Sequence, residues 1–372
     1  MLNPDLKLNP KIFDSDVEQR PIRDGYGEAL IDLGVKNSDI VVLTADLSES
    51  TRVDKFAEKW PERFIECGVA EQNMVGIAAG LAVSGKIPFI SSYAVFSPGK
   101  NWEIVRTLVA YNKANVKIAG HHAGIVTGAD GATHQATEDI AILRCLPNMK
   151  IISPCDAIEA RKATLSAAEI YGPVYLRFVR DKTPIITTEE TPFRFGKIEK
   201  YWIPQTNDDL ETSNASNEVK EKFLVAIFAT GHLVYQALLA AKELEEEGII
   251  SYVLNVHTIK PLDVETIFEI TGKVKGIVTV EDHQVSGGLG SAIAEVLVQP
   301  RINWGLEWIN SNDINYEKQD LFVQYLQTSV VPPIIFIGLK DTFGESGNVQ
   351  DLLKKYKLDK EAIKKAVKSL IE

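Results

Sequence analysis

The sequence has few cysteines, no long apolar run and no apolar N-terminal segment. Its 372 residues include three cysteines, Cys67, Cys145 and Cys155, which are too few and too scattered for a disulfide framework or a zinc site. No run approaches the roughly 18 apolar residues that a membrane-spanning helix needs. Residues 1–19 are polar and charged, without the core of a signal peptide. We therefore expect a soluble, cytoplasmic protein.

Positive charge is also in deficit. The chain has 40 Lys and Arg against 51 Asp and Glu, a net charge of −11, which argues against nucleic acid or an anionic membrane as its main partner. A phosphorylated ligand would therefore need a local pocket of Arg and His. The balance of 45% hydrophobic and 24% charged residues is typical of a soluble globular protein, and the length predicts two domains.

Short β-rich runs alternate with helical patterns, which is typical of a parallel α/β fold. The first set has strands predicted at 40–44, 64–67, 87–91, 116–119, 150–153 and 174–178, and helices at 71–83, 101–111, 138–145 and 157–168. The second set has strands predicted at 223–228, 251–256, 276–281 and 334–337, and helices at 233–247, 264–271, 291–298 and twice more before the C-terminus. Asp156 is a predicted helix N-cap.

This pattern predicts two consecutive parallel-sheet domains, 21–185 and 223–372. An N-terminal extension, 1–20, precedes them. Residues 186–222 contain prolines and a polar tract without periodicity, which indicates a linker with a surface excursion. The aromatic and polar stretch 300–333 is interpreted as an insertion in the second domain.

Glu71 opens the predicted helix 71–83 and shares a face with Met74, Val75 and Ala78. A carboxyl on an apolar stripe is costly if it is charged and unpaired, so one interpretation is a neutral group that donates a hydrogen bond. The other is a first-turn glutamate, solvated or paired and stabilised by the helix dipole. Position alone favours the second.

Tyr93 and Phe96 follow the predicted strand 87–91. In open α/β sheets ligands lie outside the carboxyl ends of strands, so aromatic rings there are placed to flank a planar ligand. Core aromatics beneath a loop explain the pattern at least as well.

Residues 120–135 contain four glycines and three of the six histidines of the chain, which predicts a loop between a strand and a helix. His122, Asp130 and His134 are predicted to converge on one pocket, as hydrogen-bonding and acid–base groups for a polyhydroxylated substrate. A metal site and structural histidines are the alternatives, although the spacing fits no compact metal-ligand motif. Polar groups on a Gly-rich loop favour a functional role.

Arg180 follows the predicted strand 174–178, where a guanidinium is placed to bind phosphate with two hydrogen bonds. Arg23 and Ser50 are candidates to join it, although ordinary surface roles are favoured for each alone. The Gly-rich turn 286–291 precedes a helix, as phosphate cradles do, but its spacing favours a packing turn.

Together these residues resemble the pyrimidine-binding and C-terminal domains of transketolases, over most of residues 22–347. Four stretches carry the resemblance: Thr-Ala-Asp-Leu-Ser at 44–48, Gly-Val-Ala-Glu-Gln at 68–72, the Gly-rich loop through Gly-Ala-Thr-His-Gln at 131–135, and Lys-Asp-Thr-Phe-Gly-Glu-Ser-Gly at 340–347. Their order and spacing make the signal specific.

The resemblance implies a role for each candidate residue. Glu71 matches the glutamate that hydrogen-bonds the aminopyrimidine ring of thiamine diphosphate and favours its imino tautomer, and with His122 and His134 it is a predicted catalytic residue. The resemblance also implies three groups of binding residues. Glu71, Tyr93 and Phe96 match residues that bind the cofactor. His122, Asp130 and His134 match residues that line the sugar channel, and Arg180, Arg23 and Ser50 match residues that bind the phosphate.

The resemblance also implies a missing part. Full-length transketolases carry an N-terminal domain whose Gly-Asp-Gly motif and downstream Asn hold magnesium and the diphosphate, and nothing in this sequence matches it. The chain therefore resembles the C-terminal section of a split transketolase, with no metal site of its own. It is expected to share thiamine diphosphate with a chain that carries the Mg²⁺ ligands, as an α2β2 heterotetramer.

The implied activity is transfer of a two-carbon ketol unit from a ketose phosphate to an aldose phosphate, as in the pentose phosphate pathway. Deoxyxylulose phosphate synthase shares the glutamate helix and a similar loop, but His122 resembles transketolase more. A 2-oxo acid dehydrogenase β subunit leaves the sugar-channel residues unexplained. A non-catalytic regulatory subunit is disfavoured because the set of Glu71, His122, Asp130 and His134 is intact.

Overall fold

The fold consists of two open α/β sheets, in a computed structural model that describes residues 1–204, 224–298 and 331–371. The described strands are β1 (Gln19–Pro21), β2 (Ile40–Thr44), β3 (Phe64–Glu66), β4 (Ile87–Tyr93), β5 (Lys117–His121), β6 (Lys150–Ile152), β7 (Val174–Arg177), β8 (Lys182–Pro184), β9 (Glu199–Trp202), β10 (Leu224–Ala229), β11 (Ile250–Asn255), β12 (Thr258–Lys260), β13 (Gly276–Gln284) and β14 (Ile334–Leu339).

The helices lie mainly between these strands. The described α-helices are α1 (Ile22–Lys36), α2 (Asp54–Lys59), α3 (Glu71–Val83), α4 (Trp102–Ile104), α5 (Asp139–Arg144), α6 (Ala157–Glu169), α7 (Leu233–Glu246), α8 (Val264–Thr271), α9 (Leu289–Val298), α10 (Val349–Lys355) and α11 (Lys360–Ser369). The π-helical turns Val95–Lys100 and Val105–Ala110 flank α4.

The two sheets confirm the predicted pair of parallel α/β domains. In the described residues the first has seven strands in the order β12-β6-β7-β5-β4-β2-β3, and the second has five in the order β14-β13-β10-β11-β9. Within these two sheets all neighbours are parallel except the edge strands β12 and β9, which pair antiparallel. β1 and β8 form a separate two-stranded antiparallel sheet. None of the helices in these ranges has the length and apolar character to cross a membrane.

The first sheet is covered on both faces. Ile40 and Val42 pack with α1 and α6 in one cluster, whereas Val41 and Leu43 pack with α3 and α5 in another. Alternate side chains of β2 therefore enter different cores, as the strand period of two requires. This two-sided burial explains why the buried strands read as continuous apolar runs.

Helix α1 was not predicted, because its glycines disfavour a helix and break up its apolar face. The structure gives Gly25 a packing reason. A Cβ at this position would lie 1.8 Å from the carbonyl oxygen of Ala157, so glycine allows α1 to lie directly against α6.

The segments expected to be irregular are partly regular. The sequence predicted no strand within 186–222, but β9 pairs with β11 there, so that expectation was wrong for the described part. Within the predicted extension 1–20, Leu6 and Ile12 are buried in the main core. The polar tract 207–217 and most of the predicted insertion 300–333 lie outside the described residues.

Asp156 is a buried N-cap that also ties α6 to the chain after β8. Its Oδ1 accepts from the N–H of Glu159 at 2.8 Å, and its Oδ2 accepts from the N–H groups of Ile186 and Thr187 at 2.8 and 2.6 Å. We expect Asp156→Ala to lower the free energy of unfolding by about 2–4 kcal/mol, since it leaves several buried donors without acceptors.

Urea denaturation measures this loss, with Asp359→Ala as the matched control. Asp359 caps α11 through one bond, from Ala362 N at 3.1 Å, so its loss should cost only about 1 kcal/mol. Equal effects of the two substitutions would contradict the role given to Asp156.

Candidate active site

Three neighbouring strands of the first sheet end at one edge. β4 ends at Tyr93, β5 at His121 and β7 at Arg177, and β5 pairs in parallel with both of the others. Carboxyl ends of parallel strands are where ligands bind in such sheets. The aromatic segment, the Gly-rich loop 120–135 and Arg180 therefore start from adjacent positions.

A cluster of four rings occupies this edge. Tyr93 and Phe96 are stacked, with ring centroids 5.9 Å apart and planes within 14°. The ring of His122 lies 4.0 Å from that of Tyr93, and His134 meets Phe96 edge-on at 5.5 Å. The structure thus brings together four of the residues that the sequence singled out.

His122 is buried, in the left-handed backbone conformation (φ 54°). Its Nε2 contacts the Nη1 of Arg23. Burial, followed by the nearby charges of Arg23 and Arg180, lowers the pKa of His122 to about 3, so the ring is neutral near pH 7. A guanidinium can only donate, which makes Nε2 the acceptor and places the ring proton on Nδ1. Nδ1 is buried and has no hydrogen-bond partner among the residues that the structure describes.

Three guanidinium groups surround this histidine. Arg180 donates to the carbonyl of Thr127 at 2.9 Å and pairs with Asp130 at 3.2 Å. Burial and then the charge of Arg52 lower the pKa of Arg23, because like charges lie close together there. The result is a basic pocket on an acidic protein, as a phosphorylated ligand requires.

Arg52 is a member of this pocket that the sequence did not indicate. It lies at φ 64° after β2, and its Nε pairs with Asp24 at 2.7 Å. Ser50 lies two residues earlier and is half-buried. No hydrogen bond ties the Ser50 hydroxyl to the other described residues of the site.

Glu71 lies at the start of α3 and is only 2% exposed. Its Oε2 pairs with the Nζ of Lys100 at 2.7 Å, and Asn101 donates to its backbone carbonyl at 3.2 Å. Of the two interpretations of Glu71, the structure of this chain shows the paired one. Lys100 is 45% exposed, so its side chain has room to leave.

Residues 96–101, which contact Glu71, suit the binding of a planar ring with hydrogen-bonding nitrogens. The buried Oγ of Ser97 and Oδ1 of Asn101 have no hydrogen-bond partners in the described part of the chain, and the same segment carries the stacked Phe96. A carboxyl, unpartnered polar atoms and aromatic faces are the groups that an aminopyrimidine needs.

The two remaining alternatives from the sequence are the Gly-rich turn and a metal site. The turn 286–291 is filled by the Glu281 carboxyl group, which accepts from Leu289 N and Gly290 N at 2.7 and 2.9 Å, as the packing interpretation predicts. Within the described ranges, no three His, Cys, Asp or Glu side chains cluster to hold a metal ion.

Comparison with known families assigns both halves of the chain. Residues 18–185 match the transketolase pyrimidine-binding domain, and residues 215–314 match the transketolase C-terminal domain. The two matched ranges overlap the two sheets described above. The chain belongs to the transketolase family, whose members use thiamine diphosphate.

Its relatives include chains that it matches over nearly their whole length. It is 44% identical to a provisionally named transketolase C-terminal section of Methanocaldococcus jannaschii, over 93% of this chain and 95% of that one. It is 34% identical to the 6-deoxy-6-sulfo-D-fructose transketolase subunit of a Clostridium species, over 97% of both. A solved split-gene transketolase, described as an inactive β4 tetramer, is 39% identical with a TM-score of 0.75, over 94% and 98% of the two chains.

Proposed function

We propose that the chain is one subunit of a transketolase that moves a two-carbon ketol unit from a ketose phosphate to an aldose phosphate. The observation that supports this is the sheet edge: the stacked Tyr93–Phe96 pair lies beside the neutral His122 and its guanidinium pocket, and Glu71 contacts Lys100 and Asn101, which follow Phe96 along the chain. A planar cofactor and an anionic, hydroxylated substrate would thus meet there.

Thiamine diphosphate, when bound, supplies the nucleophilic carbon and the electron sink for breaking a carbon–carbon bond. Glu71 would hold the aminopyrimidine by a hydrogen bond, while Tyr93 and Phe96 pack against the ring. Lys100 then has to release the Glu71 carboxyl.

The chain's own groups would handle the sugar. With its proton on Nδ1, His122 would donate a hydrogen bond to a substrate oxygen, and Arg23 would hold the ring in that tautomer. Asp130 and His134 lie on the same loop and would contact sugar hydroxyls. Arg180 and Arg23 would bind the phosphate through charge-assisted hydrogen bonds, with Ser50 beside the pocket.

We also propose a partner chain that carries the diphosphate-binding domain and the Mg²⁺ ligands, in an α2β2 complex. The split-gene neighbour and the subunit names of the relatives support this arrangement.

The three cysteines are free thiols, which fits the reducing cytoplasm.

A second candidate substrate is a sulfonated ketose. One relative is a 6-deoxy-6-sulfo-D-fructose transketolase subunit, and a sulfonate presents the same anionic oxygens to a guanidinium pocket as a phosphate does.

A donor panel separates the candidates. The complex of this chain with its partner, thiamine diphosphate and Mg²⁺ is given glyceraldehyde 3-phosphate with sedoheptulose 7-phosphate, 6-deoxy-6-sulfofructose or pyruvate. Xylulose 5-phosphate from the first donor supports the proposal, and the same product from the second alone indicates the sulfosugar enzyme. Deoxyxylulose phosphate from pyruvate alone would overturn both.

Arg180→Lys should raise KM for a phosphorylated aldose acceptor by about 10–100-fold, because an ammonium does not reproduce the two parallel hydrogen bonds of a guanidinium. Steady-state kinetics with ribose 5-phosphate measures this. Glycolaldehyde, which has no phosphate, is the control, and its KM should change little. An equal rise for both acceptors would show that Arg180 shapes the loop rather than binding the phosphate.

A further inference from the structure

A buried carboxylate of the C-terminal domain contacts the Gly-rich loop. Asp282 lies in β13 and is 1% exposed. Its Oδ1 accepts from the backbone N–H of Ile125 at 3.0 Å, and its Oδ2 lies 3.1 Å from Nε2 of His232. A carboxylate this deep requires partners for its charge, and here one partner is the loop main chain.

Gly124 shows how closely the loop approaches this carboxylate. Its φ is +77°, and a Cβ would lie 2.0 Å from Oδ2 of Asp282. Glycine is therefore required both by the backbone conformation and by the contact. Arg177, at the end of β7, also contacts this residue: its Nη2 donates to the backbone carbonyl of Asp282 at 2.8 Å.

The far end of the loop contacts the same domain. The Nε2 of Gln135 donates to the backbone carbonyl of Glu345 at 2.9 Å. A Cβ on Gly131 would lie 2.4 Å from the Oγ of Ser346. The stretch that carries His134 is thus held between two anchors, both supplied by the C-terminal domain.

We infer that Asp282, held by His232, is a positioning residue that fixes the main chain of the Gly-rich loop and thereby aligns His122 and His134. The C-terminal domain then sets the geometry of a site whose side chains it does not supply. The substrate part of this inference rests on the proposed function, whereas the anchoring concerns this chain alone.

Two measurements on Asp282 variants in the reconstituted complex test the inference. Hydrogen exchange follows the amides of residues 120–135, and steady-state kinetics gives KM for both sugar phosphates together with the apparent dissociation constant for thiamine diphosphate. Asp282→Ala removes the anchor, and Asp282→Asn keeps an acceptor for Ile125 N. Asp263→Ala is the matched control, because Asp263 is a buried acid of the same domain that caps α8.

We expect Asp282→Ala to speed exchange across the loop and to raise KM for both sugars by about 10-fold or more. The thiamine diphosphate constant should stay within about twofold, since Glu71 and Phe96 lie on other segments. Asp282→Asn should recover most of the KM, a rescue that general destabilisation would not give. Asp263→Ala should lower stability without moving either readout. Equal KM changes in Asp282→Ala and Asp263→Ala would overturn the inference.

Gly344→Ala keeps the test decisive if Asp282→Ala does not fold. A Cβ at Gly344 would lie 2.0 Å from Oε1 of Gln135 and 3.2 Å from Cγ2 of Ile125. Because Gly344 lies on a largely exposed segment, the change displaces mainly the Gln135 anchor. Faster exchange at residues 131–135 is expected, and unchanged exchange would contradict the anchoring. If the wild-type complex transfers no ketol unit, the proposed function fails, but the exchange results still decide the anchoring.

Discussion

Glu71→Gln in the reconstituted complex should lower the rate of ketol transfer by about 10²–10⁴-fold, the range for loss of a positioned acid–base group. Glutamine keeps the size of the side chain at the buried start of α3 but cannot exchange a proton with a pyrimidine nitrogen. The fall should appear mainly in kcat, because the sugar pocket is built from other residues. Stopped-flow or coupled steady-state assays measure it.

Two comparisons make the Glu71 result interpretable. Glu103→Gln changes an exposed glutamate in α4 and should leave the rate near wild type. Calorimetric titration with thiamine diphosphate shows whether the cofactor still binds. Full activity of the Glu71 variant would contradict the role assigned to this residue, whereas lost activity with retained binding would support it.

The second large effect concerns the buried ion pair of Asp139 and Arg177, which are 1% and 3% exposed. Arg177 Nε lies 2.8 Å from Asp139 Oδ2, which also accepts from the Tyr175 hydroxyl at 2.7 Å. Burial lowers the pKa of Arg177, but the Asp139 carboxylate raises it by more. The guanidinium therefore stays charged. Asp139→Asn should therefore lower the free energy of unfolding by about 3–5 kcal/mol.

Urea denaturation of this chain measures the loss, and an exposed pair provides the control. Arg144 and Glu295 also form a short ion pair, but the Glu295 side chain is 55% exposed, so Glu295→Gln should cost less than about 1 kcal/mol. The double variant Asp139→Asn, Arg177→Met should recover part of the loss, since no buried charge is then left unpaired. Equal losses of unfolding free energy from Asp139→Asn and Glu295→Gln would show that burial does not determine how much the Asp139–Arg177 pair contributes to stability.

Much of the fold could be predicted because local patterns decide it. The bounds of β2, α3 and α8 match the predicted ranges 40–44, 71–83 and 264–271, each of which is rich in apolar residues. Helix α1 could not be predicted, because its glycines serve a contact with α6 that lies far along the chain. Strand β9 lies at the edge of the second sheet, and its register is set by pairing with β11. The local sequence of β9 does not encode that pairing.

The candidate site divides in the same way. Residues on sequence motifs, such as His122 and Arg180, were predicted, and the structure gathers them at one sheet edge. Three participants were missed, Lys100, Arg52 and Asp282, because only tertiary contacts bring them there. Asp282 reaches Ile125 across 157 positions of sequence. No local pattern marks such a residue, although an acid at the end of an apolar strand is a signal worth testing.

The proposed active site is shared by this chain and a separate partner, and a mixing titration tests that claim most directly. A fixed amount of this chain, with thiamine diphosphate, Mg²⁺, xylulose 5-phosphate and ribose 5-phosphate, receives increasing partner chain while sedoheptulose 7-phosphate is measured. We predict no product from either chain alone, and a rate that rises to a plateau at equimolar chains. Product from this chain without its partner, or none from an assembled, cofactor-loaded complex, would contradict the account.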